Sequence, residues 1–153
     1  MTKKVLLIDD DSDDAELFQE ALKQVDNTIT CLSAEDGHTG LSLLREHRPN
    51  VIFLDINMPV MNGWDTLKAI KASADIRHIP VIMYSTSSYH KDIENAFALG
   101  SVCFFIKPFA FKELQETLGA IMDNLEAGSI AGVYKLKIKH LICPDEDGSH
   151  SYN

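Results

Sequence analysis

Cysteine is scarce in this chain: there are three, Cys31, Cys103 and Cys143, an odd number without the spacing of a metal site. Buried thiols are the expectation, with no disulfide framework. The six histidines likewise contain no pair at metal-ligand spacing. Positive charge is also short, 14 Lys and Arg against 23 Asp and Glu, which argues against nucleic acid binding through phosphate contacts and favours a protein-binding role. At the start, Lys3-Lys4 precedes only four apolar residues before Asp9, too short a run for a signal peptide or a membrane span. A cytoplasmic location is expected, without membrane contact.

What the chain does have is a set of polar residues that each end an apolar run. Val5-Leu6-Leu7-Ile8 runs into Asp9-Asp10, Val51-Ile52-Phe53-Leu54 into Asp55, Val81-Ile82-Met83-Tyr84 into Ser85, and Cys103-Phe104-Phe105-Ile106 into Lys107-Pro108. Runs apolar at every position are the pattern of parallel strands buried on both faces. A further strand over Thr28–Leu32 alternates more and reads as an edge.

Helical patterns separate these strands. Ala15, Phe18, Leu22 and Val25 share one face of a first helix; Gly37–His47 carries Leu41 and Leu44 as a second; Trp64–Lys71 makes a third. A fourth runs from His90 to Leu99 and stops at Gly100. The fifth carries Phe111, Leu114, Leu118, Ile121 and Leu125 at steps of three and four. The 153 residues leave room for one domain, and five βα units give a doubly wound α/β fold. It is a five-stranded parallel sheet in the flavodoxin-like order 2-1-3-4-5, with helices on both faces.

In such sheets ligands bind outside the carboxyl ends of the strands, at the switch point between strands one and three. Asp9 and Asp10 therefore face Asp55, with Ser85 and Lys107 on the same rim. Clustered carboxylates repel one another unless a cation neutralises them, and magnesium, a hard ion held by few carboxylates plus water and phosphate oxygens, suits them. The remaining groups suit phosphoryl transfer, where charge spreads over three oxygens: magnesium for one, Lys107 for a second, the Ser85 hydroxyl for the third. Asp55 is the nucleophile, ionised at neutral pH and needing no general base. Each residue alone has a duller reading: the run Asp9 to Asp14 as a helix cap, Asp55 as a turn acid, Ser85 as a strand-end hydroxyl, Lys107 as a solvated lysine. Those readings do not explain the joint placement at four strand ends.

At these residues, Leu7-Ile8-Asp9-Asp10-Asp11, Leu54 through Gly63, Ser85-Thr86 and Lys107-Pro108-Phe109, the chain resembles the receiver domain of two-component response regulators, most closely the single-domain chemotaxis type. The resemblance covers residues 3–126. It implies that Asp55 accepts a phosphoryl group from a histidine kinase or phosphotransfer protein. Asp10, Asp55 and the Asn57 carbonyl would ligate Mg2+, and Asp9 would act through a bound water. Ser85 and Lys107 would serve the phosphoryl group, the Lys107–Pro108 bond would be cis, and Phe104 would be the switch aromatic, lacking the hydroxyl of the frequent tyrosine. An output protein would bind helix four, strand five and helix five. The chain would be no enzyme beyond its own phosphorylation and dephosphorylation.

Residues 127–153 fall outside the resemblance and carry no DNA-binding domain. Tyr134, Leu136 and Ile138 alternate with Lys135, Lys137 and Lys139, the pattern of an amphipathic strand that adds to an edge or docks on a partner, with a disordered tail as the alternative. The stretch 144–153 is polar and acidic and is expected to be disordered. Three other functions compete. A haloacid-dehalogenase-type phosphatase needs an Asp where Asn57 stands. A flavodoxin-like electron carrier needs a phosphate cradle where Asp9, Asp10 and Asp11 would repel one. A phosphorylation-independent docking protein would not need the complete set.

Overall fold

A computed structural model describes residues 3–125 and 129–145. The strands are β1 (Lys4–Ile8), β2 (Thr30–Ala34), β3 (Val51–Leu54), β4 (Val81–Ser85), β5 (Cys103–Ile106) and β6 (Leu141–Ile142). The helices are α1 (Ser12–Val25), α2 (Gly37–His47), α3 (Gly63–Ala72), α4 (His90–Ala98), α5 (Phe111–Asp123) and α6 (Ala131–Tyr134). The sheet order is β2-β1-β3-β4-β5-β6, with the first five strands parallel and β6 antiparallel to β5. The flavodoxin-like order is as the sequence implies, and one strand is added to it.

Alternation along the central strands divides the core in two. Val5, Leu7, Val51, Phe53, Ile82, Tyr84 and Phe105 face α1 and α5, while Leu6, Ile8, Ile52, Leu54, Met83 and Phe104 face α2, α3 and α4. Because successive side chains point to opposite faces, a strand covered on both sides must be apolar throughout. On the α1 face, Phe18, Phe53, Tyr84 and Phe105 form a chain of ring contacts with centroids 5.0 to 6.4 Å apart. This aromatic layer lies beneath the rim that carries Asp9, Asp55 and Lys107.

Local chemistry sets the element ends. Asp11 caps α1, its carboxylate accepting from Asp13 N and Asp14 N, and Asn62 caps α3 by accepting from Asp65 N. Gly100, at φ 102°, ends the α4 region in a conformation that other residues adopt at a cost. β2 begins at Thr30 rather than Thr28, because the Asp26 carboxylate accepts from both Thr28 N and Thr28 Oγ1 and holds those residues in a turn.

The residues after α5 depart most from expectation. Lys135 to Lys139 do not form a strand. Val133 is fully buried, Tyr134 lies in the short α6, and Leu136 and Ile138 pack against the core from irregular chain. The strand that extends the sheet comes later, with Ile142 opposite Phe104 and Leu141 opposite Phe105. Alternating lysines signalled one half-buried side correctly, but a period of two in a short segment does not require ladder hydrogen bonds. The boundary at 126/127 and the tail beyond Asp145 lie outside the described residues.

A second correction concerns cysteine. Cys103 and Cys143 form a disulfide with Cα atoms 4.4 Å apart, and Cys31 alone is free among the described residues. Cys31 and Cys103 stay apart, on β2 and β5, as their strand positions require. The bridge was missed because it depends on β6, which brings Cys143 back beside β5.

Candidate functional site

Three strand ends build the site. Backbone pairing continues one residue past β1 and β3: Asp9 N donates to Ala34 O and Asp55 N to Ile8 O. With Ile8 opposite Leu54, Asp9 and Asp55 leave the sheet side by side. Ligand oxygens of Asp9, Asp10 and Asp55 all lie within 4.8 Å of one another, an arrangement that could hold a metal ion. Asp9 and Asp55 are buried and Asp10 is exposed.

Lys107 enters from the end of β5. Its Nζ lies 2.8 Å from Asp9 Oδ2, 2.8 Å from Asp14 Oδ2 and 3.6 Å from Asp55 Oδ2, and 5.1 Å from the centre of the Tyr84 ring. Its backbone N donates to Ser85 O at 2.7 Å, which ties the ends of β4 and β5 together. No described peptide bond is cis, so the Lys107–Pro108 bond is trans and the cis expectation is overturned. The trans form is the ordinary lower-energy one for X-Pro, and Lys107 reaches the carboxylates with it.

The electrostatics follow from burial. Desolvation, reinforced by the charge of Asp9, pushes the Asp55 carboxyl up from 3.8 to about 7, against the opposing pull of Lys107 and a hydrogen bond from Ile56 N. Burial works against the Lys107 charge as well. Hydrogen bonds to Asp14 and Asp9, with Asp55 nearby, outweigh it and hold the ammonium well above the usual lysine range. One lysine thus fails to offset the burial of Asp55 beside Asp9, and the donor set, all carboxylate oxygen, fits a hard divalent cation.

Ser85 is fully buried at the end of β4, where its Oγ accepts from Ser87 N. Asn57 is exposed in the loop two residues beyond Asp55. In that loop Met61 N donates to Pro59 O around Val60, whose φ of 65° is uncommon for a β-branched residue. Gly63 follows, and its N donates to Ile56 O at 2.7 Å. Phe104 is fully buried, away from the rim, between Met83 and Ile142. The sequence reading missed two groups here. Tyr84 supports the Lys107 ammonium through its ring face, and Asp14, in the first turn of α1, pairs with it.

Comparisons with known proteins agree with this geometry. The model of the response regulator receiver domain matches residues 5–119. Chemotaxis protein CheY-3 of Vibrio cholerae is 32% identical over 122 residues, 80% of this chain and 93% of that protein. Among solved structures, the phosphorylated cyanobacterial phytochrome response regulator RcpA superposes with a TM-score of 0.76 at 26% identity, covering 91% of this chain and 99% of that one. The Mn(2+)-bound form of response regulator Rcp1 superposes with a TM-score of 0.70 at 28% identity, covering 89% of this chain and 98% of that one. With matching strand order, acidic rim and family model, the chain belongs to the response regulator receiver domain family.

Proposed function

We propose that this chain is a phosphorylatable signalling receiver that takes a phosphoryl group onto Asp55 from a phosphohistidine of a kinase or phosphotransfer protein. The observation that carries the reading is the convergence of Asp9, Asp10, Asp55 and Lys107 at the ends of three strands. An Asp55 carboxylate oxygen attacks phosphorus as the phosphorus–nitrogen bond breaks, and the bond's electron pair leaves with the imidazole, which takes up a proton. Asp10, Asp55 and the Asn57 carbonyl would hold Mg2+, with Asp9 acting through water; the manganese-bound form of the similar response regulator Rcp1 supports a divalent ion in such a site. When bound, the ion supplies positive charge to the carboxylates and to one phosphoryl oxygen.

Lys107 supplies its ammonium to a second oxygen, and Ser85, whose Oγ already accepts from Ser87 N, donates its proton to a third. That contact draws the β4 end toward Asp55 and passes through the Met83–Phe104 pairing to β5. The expectation of an output surface on α4, β5 and α5 changes at β5, whose edge β6 occupies, so the output surface comprises α4, α5 and β6. The chain acts on its own aspartate only and turns over no separate substrate. No described helix is long and apolar enough to cross a membrane, which is compatible with the proposed cytoplasmic role.

Whole-protein mass after incubation with magnesium and acetyl phosphate tests the reading. The parent should gain one phosphoryl group, and the gain should be absent when magnesium is chelated before the donor is added and absent in Asp55→Asn. No gain in the parent, with donor and metal in excess, would count against it.

A further inference from the structure

Lys107 makes two short contacts, and only one is to a residue that the phosphoacceptor reading needs. Asp9 Oδ2 and Asp14 Oδ2 each lie 2.8 Å from Nζ, whereas Asp55 Oδ2 stands at 3.6 Å, beyond hydrogen-bonding distance. An ammonium has three donors, and two are committed to these carboxylates. Asp14 is held in place from below, since its backbone N is bonded to the Asp11 cap.

The two partners differ in what it costs to lose the lysine. The Asp9 side chain has no exposure, while that of Asp14 is 34% exposed. A carboxylate open to water is rehydrated when its partner leaves; a fully buried one is left uncompensated. Asp14 is therefore the contact that Lys107 can give up. It is also a further negative charge beside the place where a dianionic phosphoryl group would arrive.

We infer that Asp14 is a positioning residue that parks Lys107 away from Asp55, so that a phosphoryl group on Asp55 must win the lysine from Asp14. The inference rests on Asp55 being the phosphoacceptor. Its consequences have opposite signs: without the Asp14 carboxylate the free protein loses an ion pair, yet the phosphorylated form gains an unopposed lysine. A residue with only a structural role would lower stability and phosphoryl affinity together.

Beryllofluoride with magnesium, a phosphoryl mimic, provides the probe, read by the fluorescence of the single tryptophan, Trp64, at the start of α3. Loss of one charge-assisted contact predicts roughly tenfold tighter beryllofluoride binding by Asp14→Asn, with a lower Tm for its free form. Asp14→Glu, which restores the carboxylate, should return affinity toward the parent. Equal or weaker binding by Asp14→Asn overturns the inference while leaving Asp55 as acceptor. A parent that neither binds beryllofluoride nor is phosphorylated on Asp55 overturns both. A second reading needs no variant: in parent protein labelled with 15N-lysine, the Lys107 Nζ resonance should move on adding magnesium and beryllofluoride beyond its change with magnesium alone. A resonance that stays in place shows that the lysine does not leave Asp14 and overturns the inference.

Discussion

Gly63 lies against the backbone of Asp55 so closely that a Cβ at residue 63 would stand within van der Waals overlap of the Asp55 carbonyl oxygen and 2.7 Å from Ile56 Cα. The start of α3 and the acceptor strand therefore touch backbone to backbone, and no flexible side chain is there to yield. Gly63→Ala should destabilise the protein by about 1–3 kcal/mol, the usual cost of overpacking, and weaken magnesium binding by displacing Asp55. Thermal unfolding and a magnesium titration check this. An unchanged Tm with unchanged metal affinity would show that the two segments separate freely.

Neighbouring acids at the start of α1 have separable duties. Asp11 is the cap, its Oδ1 receiving Asp13 N and Asp14 N, whereas Asp10 is exposed beside Asp9 and Asp55. Asp11→Ala should cost about 1 kcal/mol of stability, as loss of a helix cap does, with little change in magnesium affinity. Asp10→Ala should do the reverse. Equal losses of magnesium affinity in the two variants would place both on the metal.

Much of this division was legible in the sequence. Strand ends at Asp9, Asp55, Ser85 and Lys107 were readable because a strand buried on both faces is apolar without interruption, so its first polar residue marks the rim. Asp14 was not readable, since its pairing with Lys107 depends on the turn at Asp11 and on how far a lysine reaches across the sheet. The Cys103–Cys143 bridge and the covering of Phe104 by Ile142 were hidden for a related reason: two residues of antiparallel strand carry too little pattern to announce themselves. The trans Lys107–Pro108 bond overturned an expectation drawn from the resemblance and from the need to aim Lys107 at the site.

Asp55 makes the metal-free protein sensitive to pH. Its carboxyl is raised from 3.8 to about 7, so the folded state keeps this proton to higher pH than the unfolded chain. The associated stability is present below the ordinary value and is lost as pH rises through about 7. Without metal, Asp55→Asn should gain in Tm relative to the parent as pH rises from about 5 to about 8. Magnesium needs the ionised carboxylate, so its affinity for the parent should rise across the same interval and level off above it. A pH-independent difference in Tm, measured by calorimetry, would show that Asp55 ionises normally.

Thiol counting checks the C-terminal attachment. In denaturant without reductant, one thiol per chain should react with an alkylating reagent, on Cys31; after reduction, all three should. Three reactive thiols before reduction would mean that the segment around Cys143 is held on β5 by packing and by the Phe104–Ile142 pairing alone.

The central claim is that Asp55 is the acceptor. Fragmentation mass spectrometry of the parent, phosphorylated with acetyl phosphate and magnesium, locates the group most directly. The account predicts a single phosphoryl group on Asp55 and none on Asp9, Asp10, Asp14 or any histidine. A phosphoryl group stoichiometrically on any other residue would contradict it.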